Sequence, residues 1–490
     1  MVTLGRYGWL AAALAFAAFS VGNTTFQLAG WLAPVLMLRF LRTTTPLAGL
    51  ALGAAAFVLA HNIGWRGAII FEGPTYHLVA GGVGLIFFVP FVIDRILSPR
   101  IAGFASTLVF PSAVVATEYL WAQAGLGSWG ASAYTQWGQS ALLQSLSLGG
   151  LWMLAFVIAW TASAANLLWA RGWKDRPARF ATAAAVGLAA VMLCFGGLRL
   201  ALDDARQPTV RIAGVVVENL DVFQATWGPL ARGQQLTPAM AEQARPDTRV
   251  LFRTLLDETR RQAQAGADIV VWSEANALVL QDDETILLNW AAGVARQEQV
   301  YLFASLAVIT PGEPLAQNKV VAIRPDGRIE SAYLKSHPTP VETSRRGDGR
   351  MPIMDTPHGR IAWAICYDFD FTSFTRQAGR GGADIMLNPS WDSRGMDPMH
   401  SHMAAMRAVE NGAAMVRITN NGLSLAVDAL GRPLGVMQAG GAAVRSLVVD
   451  VPTRGVRTAY AFAGDWLAGM SLLLLLALTI LALGGRRGRS

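Results

Sequence analysis

The chain has 490 residues, 53% hydrophobic and only 15% charged, against about 45–50% and about 25% in soluble domains. This composition excludes a disordered chain, and a mean hydropathy of +0.37 points to membrane-embedded segments. The net charge of +7 does not indicate nucleic acid, because many of the basic residues sit in short loops between apolar runs, the pattern of membrane topology rather than of a phosphate-binding face.

The apolar runs mark eight candidate spans: Trp9–Val21, Phe26–Phe40, Leu47–Ala60, Tyr76–Ile93, Phe104–Trp121, Leu146–Trp169, Phe180–Leu198 and Trp466–Leu483. The first three are shorter than the ~20 residues a helix needs to cross a bilayer. No A-x-A-like cleavage site precedes a polar start, so the first run is expected to be a retained span rather than a signal peptide. With a cytoplasmic N-terminus, the inside segments hold Arg6, Arg39, Arg42, Arg95, Arg100, Arg171, Lys174, Arg176, Arg179, Arg486, Arg487 and Arg489, and the short outside loops hold only Arg66. Positive charge stays on the cytoplasmic side. The expected organisation is therefore a membrane domain of about seven spans over 1–200, an extracytoplasmic domain over 201–464, and a C-terminal anchor over 465–490. In a Gram-negative cell this is a multi-pass inner-membrane protein with its large domain in the periplasm.

The loop Ala122–Leu143 carries no formal charge but holds Trp129, Tyr134, Gln136 and Trp137. Such rings suit interfacial anchoring, and equally a lid or lipid-contact surface beneath the outer domain.

From Thr209 onward, short β-rich runs alternate with helical stretches, which argues a layered α/β domain. The strand candidates are Val210–Val217, Ile269–Ser273, Tyr301–Val308, Asn318–Arg324, Ile329–Leu334, Ile361–Ile365, Asp384–Asn388, Ala414–Thr419, Leu423–Val427 and Ser446–Val451. Asp326-Gly327 signals a hairpin between two of them. Helices are expected over Arg249–Ala265, Thr285–Gln299, Phe371–Gly379 and Ser401–Glu410.

Cys366 is the only cysteine of this segment, and the other, Cys194, lies in an apolar stretch. A lone thiol is either a buried structural residue or a nucleophile. Its company favours the second: Glu274 closes the run Ile269–Ser273, and Lys335 closes Ile329–Leu334. A thiol is only a few per cent ionised at neutral pH. Glu274 can take its proton, and Lys335 can stabilise the thiolate and then an oxyanion. The Tyr367 amide, at the start of a helix, can donate to the same oxyanion. These groups suit acyl transfer through a thioester. His400 and His402 form an H-x-H without an obvious third ligand and are expected to be solvated loop residues, so no metal or other cofactor is expected. His337 and His358 look like turn residues. No Walker loop, dinucleotide fingerprint or G-x-S-x-G elbow is present.

The order and spacing of Glu274, Lys335 and Cys366 resemble the triad of the nitrilase (carbon–nitrogen hydrolase) superfamily. The whole layout resembles its membrane branch, the apolipoprotein N-acyltransferase family. The likeness extends to Thr117-Glu118-Tyr119, the loop GSWGASAYTQWGQ, Lys335-Ser336-His337 with Pro340 and Glu342, Cys366-Tyr367-Asp368, Arg407-Ala408 with Glu410, and Thr419-Asn420-Asn421-Gly422. The resemblance implies a multi-span α-helical membrane domain joined to a nitrilase-type αββα sandwich. It implies Glu274 as general base, Lys335 as oxyanion stabiliser, Cys366 as acyl-bearing nucleophile and Glu342 as a second glutamate lining the site. Tyr367, Asp368 and Trp391, with Trp129, Tyr134 and Gln136 of the membrane-side loop, are expected to contact substrate. The implied partners are a phospholipid acyl donor and an amine acceptor, the N-terminal cysteine of a diacylated lipoprotein. The segment Asn388–Ser393 stands where these acyltransferases carry N-D-A-W-F-G and looks closer to soluble hydrolases. Cys-Tyr-Asp replaces Cys-Tyr-Glu, and the stretch Pro338–Glu342 is one residue shorter than its counterpart. A membrane-tethered amidase is the alternative reading.

Overall fold

The computed structural model describes residues 5–203 and 207–484. Arg486, Arg487 and Arg489, used above for orientation, lie outside the described residues. The chain divides into two compact units, Met1–Asp203 with Phe462–Ser490, and Asp204–Ala461.

The first unit is helical. Its elements are α1 (Arg6–Ala18), α2 (Gln27–Thr43), α3 (Pro46–Gly64), α4 (Gly73–Leu97), α5 (Val109–Trp121), the short α6 (Ser140–Leu143), α7 (Leu146–Arg171), α8 (Arg176–Ala201) and a C-terminal helix, Trp466–Gly484. Five helices are long and apolar enough to cross a membrane by length and composition: Pro46–Gly64, Gly73–Arg100, Leu146–Arg171, Arg176–Ala201 and Trp466–Gly484. The third expected span thus proves longer than its apolar run, because His61, Asn62 and Gly64 continue the helix. The fifth proves shorter. A 3₁₀ turn over Gly103–Leu108 precedes α5, with Gly103 at φ +62° and Pro111 in the first turn of α5, where its missing N–H costs little. Aromatic side chains hold the bundle together: Phe40, Phe57, Phe88, Phe91 and Phe110 are buried in one cluster, with the Phe91 and Phe110 ring centroids 4.8 Å apart.

The second unit is a sandwich of two sheets. Its strands are β1 (Thr209–Val217), β2 (Ile269–Trp272), β3 (Ala277–Leu280), β4 (Tyr301–Ile309), β5 (Gln317–Ile323), β6 (Ile329–Leu334), β7 (Ile353–Thr356), β8 (Gly359–Trp363), β9 (Ile385–Ser390), β10 (Ala414–Thr419), β11 (Ser424–Val427), β12 (Pro433–Met437) and β13 (Val444–Pro452). Its helices are α9 (Leu220–Ala225), α10 (Trp227–Ala231), α11 (Pro238–Gln264), α12 (Glu284–Glu298), α13 (Thr372–Arg380) and α14 (Met399–Asn411). One sheet runs β13-β1-β2-β4-β5-β6 with β3 also on β4, and the other runs β12-β11-β10-β9-β8-β7. β1, β2 and β4 are parallel, as are β8, β9 and β10. Strands covered on both faces read as unbroken apolar runs, as IVVW in β2 does. Helix α11 starts where the Thr237 hydroxyl accepts from the Met240 amide at 3.3 Å, with Pro238 behind the cap.

The two sheets meet closely. A Cβ on Gly214 of β1 would lie 1.9 Å from the Ile418 side chain of β10, so only glycine permits this approach. Phe252, Leu255 and Leu256 of α11 and Leu287, Ala291 and Val294 of α12 pack on the outer face of the first sheet. α13 and α14 pack against each other, and α14 covers β10 and β11 of the second. The layers are αββα, as the family resemblance implies. Three strands escaped the reading of the sequence. β3 is only four residues long, β7 lies among glycines and prolines, and β12 begins with Pro433, which confines it to an edge.

Candidate active site

Sheet ends create the site. Glu274 follows β2, Lys335 follows β6, and Cys366 comes three residues after β8. Chain reversal there is abrupt. Among the described residues, the non-glycine residues with positive φ are Ala275 (48°), Gln299 (55°) and Cys366 (46°). Gln299 merely ends α12, whereas the other two lie in or beside the candidate triad. Left-handed backbone at a residue with a Cβ is strained and concentrates at functional sites.

Lys335 is buried and held between two carboxylates. Its Nζ lies 2.7 Å from Glu274 Oε1 and 2.6 Å from Glu342 Oε2. Asn318 of β5 spans the same pair, donating to Glu274 Oε1 at 2.7 Å and Glu342 Oε1 at 2.9 Å. Glu342 also accepts from the Ser344 hydroxyl at 2.7 Å and the Thr339 amide at 3.2 Å. Glu274 Oε2, by contrast, is buried with no hydrogen-bond partner among the described residues.

That asymmetry divides the two carboxyls. Burial pushes both up, but at Glu342 the Lys335 ammonium, Asn318 and Ser344 outweigh it and hold the carboxylate below its usual range. At Glu274 burial, reinforced by the Glu342 charge, wins over Lys335 and raises the pKa. Two carboxyls pushed apart in this way can take different roles, one a fixed anion and the other a proton carrier. Lys335 is raised well above its ordinary value, because the charges of Glu274, Glu342 and Cys366 outweigh its desolvation. Burial, and after it the Glu274 charge, push the Cys366 thiol well up, while Lys335 and Arg417 pull it down. In this resting arrangement the sulfur is a thiol, and its S–H points to the Trp391 carbonyl at 3.8 Å.

Residues 234–453 match the carbon-nitrogen hydrolase family. An apolipoprotein N-acyltransferase from Gloeobacter violaceus is 27% identical over 428 residues, 80% of this chain and 76% of its own. Another, from Azotobacter vinelandii, is 27% identical over 325 residues, 58% of this chain and 56% of its own. The chain carries a carbon–nitrogen hydrolase domain and over most of its length is similar to apolipoprotein N-acyltransferases. It is an acyltransferase-type enzyme with a carbon–nitrogen hydrolase domain and, with its apolar helices, a multi-pass membrane protein. An amidase from Nesterenkonia sp., 20% identical over 51% of this chain and 92% of its own, superposes with a TM-score of 0.39, too low to bear on function.

Not every residue expected to contact substrate is placed to do so. Asp368 is wholly buried and saturated: it accepts from the Ile365 amide (3.0 Å), the His337 amide (2.7 Å) and the Tyr333 hydroxyl (2.7 Å). His337 Nδ1 lies 2.9 Å from it as well. Asp368 therefore braces the turn that carries Cys366. Tyr367 is buried, its ring edge-on to Phe371. Trp391 is half-buried, edge-on to Phe223 at 4.7 Å, with its carbonyl toward the thiol.

Trp129, Tyr134 and Gln136 belong to the helical unit. Gln136 is buried and internally bonded, donating to the Gln27 carbonyl (3.0 Å) and accepting from Trp31 Nε1 (2.9 Å), so it anchors its loop rather than facing lipid. Tyr134 pairs with Ser128 at 2.5 Å, and the Trp129 ring lies tilted against Trp65 with centroids 5.7 Å apart. The same loop is tied to α5, where Glu118 Oε1 accepts from the Ser132 amide at 2.9 Å.

The histidine expectation needs correction. His400 and His402 are not solvated loop residues but lie on α14, and His400 is buried with its neighbours Asp370, Asp392 and Arg417. The sulfur of Cys366, a carboxylate oxygen of Asp392 and a ring nitrogen of His400 lie within 4.8 Å of one another. A metal does not fit there. Arg417 already donates to Asp392 Oδ1 at 2.7 Å and sits 2.9 Å from His400 Nδ1, so a guanidinium stands where a cation would bind. Asn318, Ser344, Asp392 and Arg417 also went unnoticed in the sequence. The one available signal was Arg417, a charge inside the apolar run of β10, which demands a buried partner.

Proposed function

We propose that the protein is a lipoprotein N-acyltransferase that moves an acyl chain from a phospholipid, through a Cys366 thioester, to the N-terminal amine of a diacylated lipoprotein. The observation that carries this reading is the paired arrangement of Glu274 and Glu342 about Lys335, beside a buried thiol on strained backbone.

Glu274, whose Oε2 is unengaged, takes the thiol proton, and the Cys366 sulfur attacks the ester carbonyl of the donor. Lys335 and the Tyr367 N–H stabilise the oxyanion that forms. The C–O bond breaks, Glu274 returns the proton to the departing oxygen, and lysophospholipid leaves. The acceptor nitrogen then attacks the thioester, Glu274 takes its proton, the C–S bond breaks, and the thiol is restored as the amide is released. Glu342 stays ionised throughout and keeps Lys335 aimed. A bilayer-embedded unit suits substrates that both carry lipid chains. The asymmetry of loop arginines supports an inner-membrane protein with its catalytic domain outside the cytoplasm.

Incubating the purified protein with phospholipid and a diacylated peptide bearing a free N-terminal cysteine tests the reading. The peptide should gain one acyl chain, lysophospholipid release should rise with peptide, and the kinetics should be ping-pong. The segment Asn388–Ser393 favours a second reading, in which water attacks the thioester. Free fatty acid or ammonia released without peptide acylation would establish that amidase instead.

A further inference from the structure

A cavity inside the helical unit plays no part in the acyl-transfer steps. Helices α2, α3, α4, α5 and α7 and the loop over 130–135 line it. Its volume is about 90 Å³, several times the ~10–15 Å³ that one water requires. The polar groups of its wall gather at one end. Glu118 is in the last turn of α5, His61 in the last turn of α3, and Ser132 and Thr135 are in the loop. Phe110 comes eight residues before Glu118, about 12 Å along α5 at 1.5 Å per residue. It lines the other end with Phe57 and Phe91, whose rings pack on one another and on it.

At the polar end Glu118 is short of partners. The side chain is buried, and among the described residues only Ser132 bonds to it: Oε1 accepts from the Ser132 amide at 2.9 Å, while Oε2 is buried without a hydrogen bond. The Ser20 and Thr135 hydroxyls donate to the Ala17 and Ser132 carbonyls, at 2.8 and 2.7 Å, so neither serves it. His61 Nδ1 lies 3.0 Å from the Phe57 carbonyl and carries the hydrogen of the neutral ring, which leaves Nε2 an acceptor. An orphaned carboxyl oxygen is costly in such surroundings, and an ionisable side chain within a membrane bundle marks a functional site. Water alone would satisfy Glu118 but would gain little against the phenyl rings, where a cavity stays dry unless an apolar group enters it.

We propose that this cavity binds one alkyl chain of a lipid, with a lipid hydroxyl hydrogen-bonded to Glu118 and the chain directed toward Phe57, Phe91 and Phe110. A hydroxyl both donates and accepts, so it serves the carboxyl in either protonation state. An apolar body with one polar tip also matches the gradient along the wall, a mostly apolar pocket between helices with a few polar groups that fix orientation.

The test is photolabelling of the full-length protein in phosphatidylcholine nanodiscs. It is done on a Cys366→Ala background, where no thioester forms, so its outcome is independent of whether acyl transfer is found. The probes are hexadecanol bearing a diazirine in its chain and the same chain lacking the hydroxyl, with labelled residues mapped by peptide mass. The alcohol should label the cavity-lining parts of α3, α4 and α5 saturably, and about tenfold more than the hydrocarbon at equal concentration, the ratio one hydrogen bond gives. Glu118→Ala should bring the two probes level, and Ala159→Leu, which fills space in the cavity wall, should suppress both. Unlabelled lysophosphatidylethanolamine has one chain and a free glycerol hydroxyl. Its competing with the probe assigns the site to the lipid released in the proposed reaction, an assignment that rests on that reaction; competition by unlabelled hexadecanol alone assigns it to a free long-chain alcohol. Equal labelling by the two probes with Glu118 in place, no saturable labelling of these helices, or an alcohol excess that survives Glu118→Ala overturns the proposal. If neither variant folds, the comparison of the two probes with Glu118 in place decides.

Discussion

Glu274 and Glu342 share both of their main partners: each accepts from the Lys335 ammonium, at 2.7 and 2.6 Å, and each from the Asn318 amide, at 2.7 and 2.9 Å. They differ in what remains. Glu342 has Ser344 and the Thr339 amide as well, whereas Glu274 keeps one buried oxygen unbonded. The sharing couples them, and the difference moves their pKa values in opposite directions.

Glu342→Gln removes a like charge that helps raise Glu274 and leaves Lys335 to pair with Glu274 alone. Both changes lower the Glu274 pKa. The acid limb of the pH–rate profile should therefore move to lower pH, and kcat should fall by up to about a hundredfold as Lys335 loses its second anchor. A profile measured over the acid range checks this, and a limb that stays put or moves up contradicts it.

Cys366→Ala should reduce acyl transfer by about ten-thousandfold or more, because the thioester at this position cannot form. Intact-mass analysis after incubation with phospholipid should show a hydroxylamine-labile adduct in the wild type and none in the variant. Persisting activity would remove the thioester from the mechanism.

Arg417→Met should destabilise the catalytic domain by about 3–5 kcal/mol, the cost of leaving one member of a buried ion pair uncompensated. Adding Asp392→Asn should recover part of the loss. Denaturant midpoints of the full-length protein in detergent compare the three, and an Arg417→Met variant as stable as the wild type would show that the guanidinium contributes nothing net.

The orientation can be read with an introduced cysteine. Val250, on α11, is 60% exposed, so Val250→Cys on a background with Cys194→Ser and Cys366→Ala should react with a membrane-impermeant thiol reagent in intact spheroplasts. Labelling only after lysis would place the domain in the cytoplasm.

The strand-end positions of Glu274, Lys335 and Cys366 could be read without coordinates because each follows a short apolar run of strand length. An unpaired thiol in a polar segment is also conspicuous against any composition. The Asp370–Asp392–His400–Arg417 cluster could not. Asn388 and Arg417 are 29 positions apart and face each other only because β9 and β10 pair in parallel register. His400 joins them only because α14 packs back over β10, so its H-x-H spacing looked like exposed loop. Local sequence also does not reveal that Asp368 and Gln136, expected to meet substrate, are engaged in internal hydrogen bonds.

By itself the sequence determined the membrane and α/β segments, the direction of positive charge and the residue types able to form a thioester, because hydrophobic periodicity and loop charge are local properties of the chain. Only the tertiary structure decided that Glu274 and Glu342 share Lys335 while one Glu274 oxygen stays unbonded, and that a buried ionic cluster lies behind the sulfur. Burial and pairing set those energies, and they arise where distant strands and helices converge.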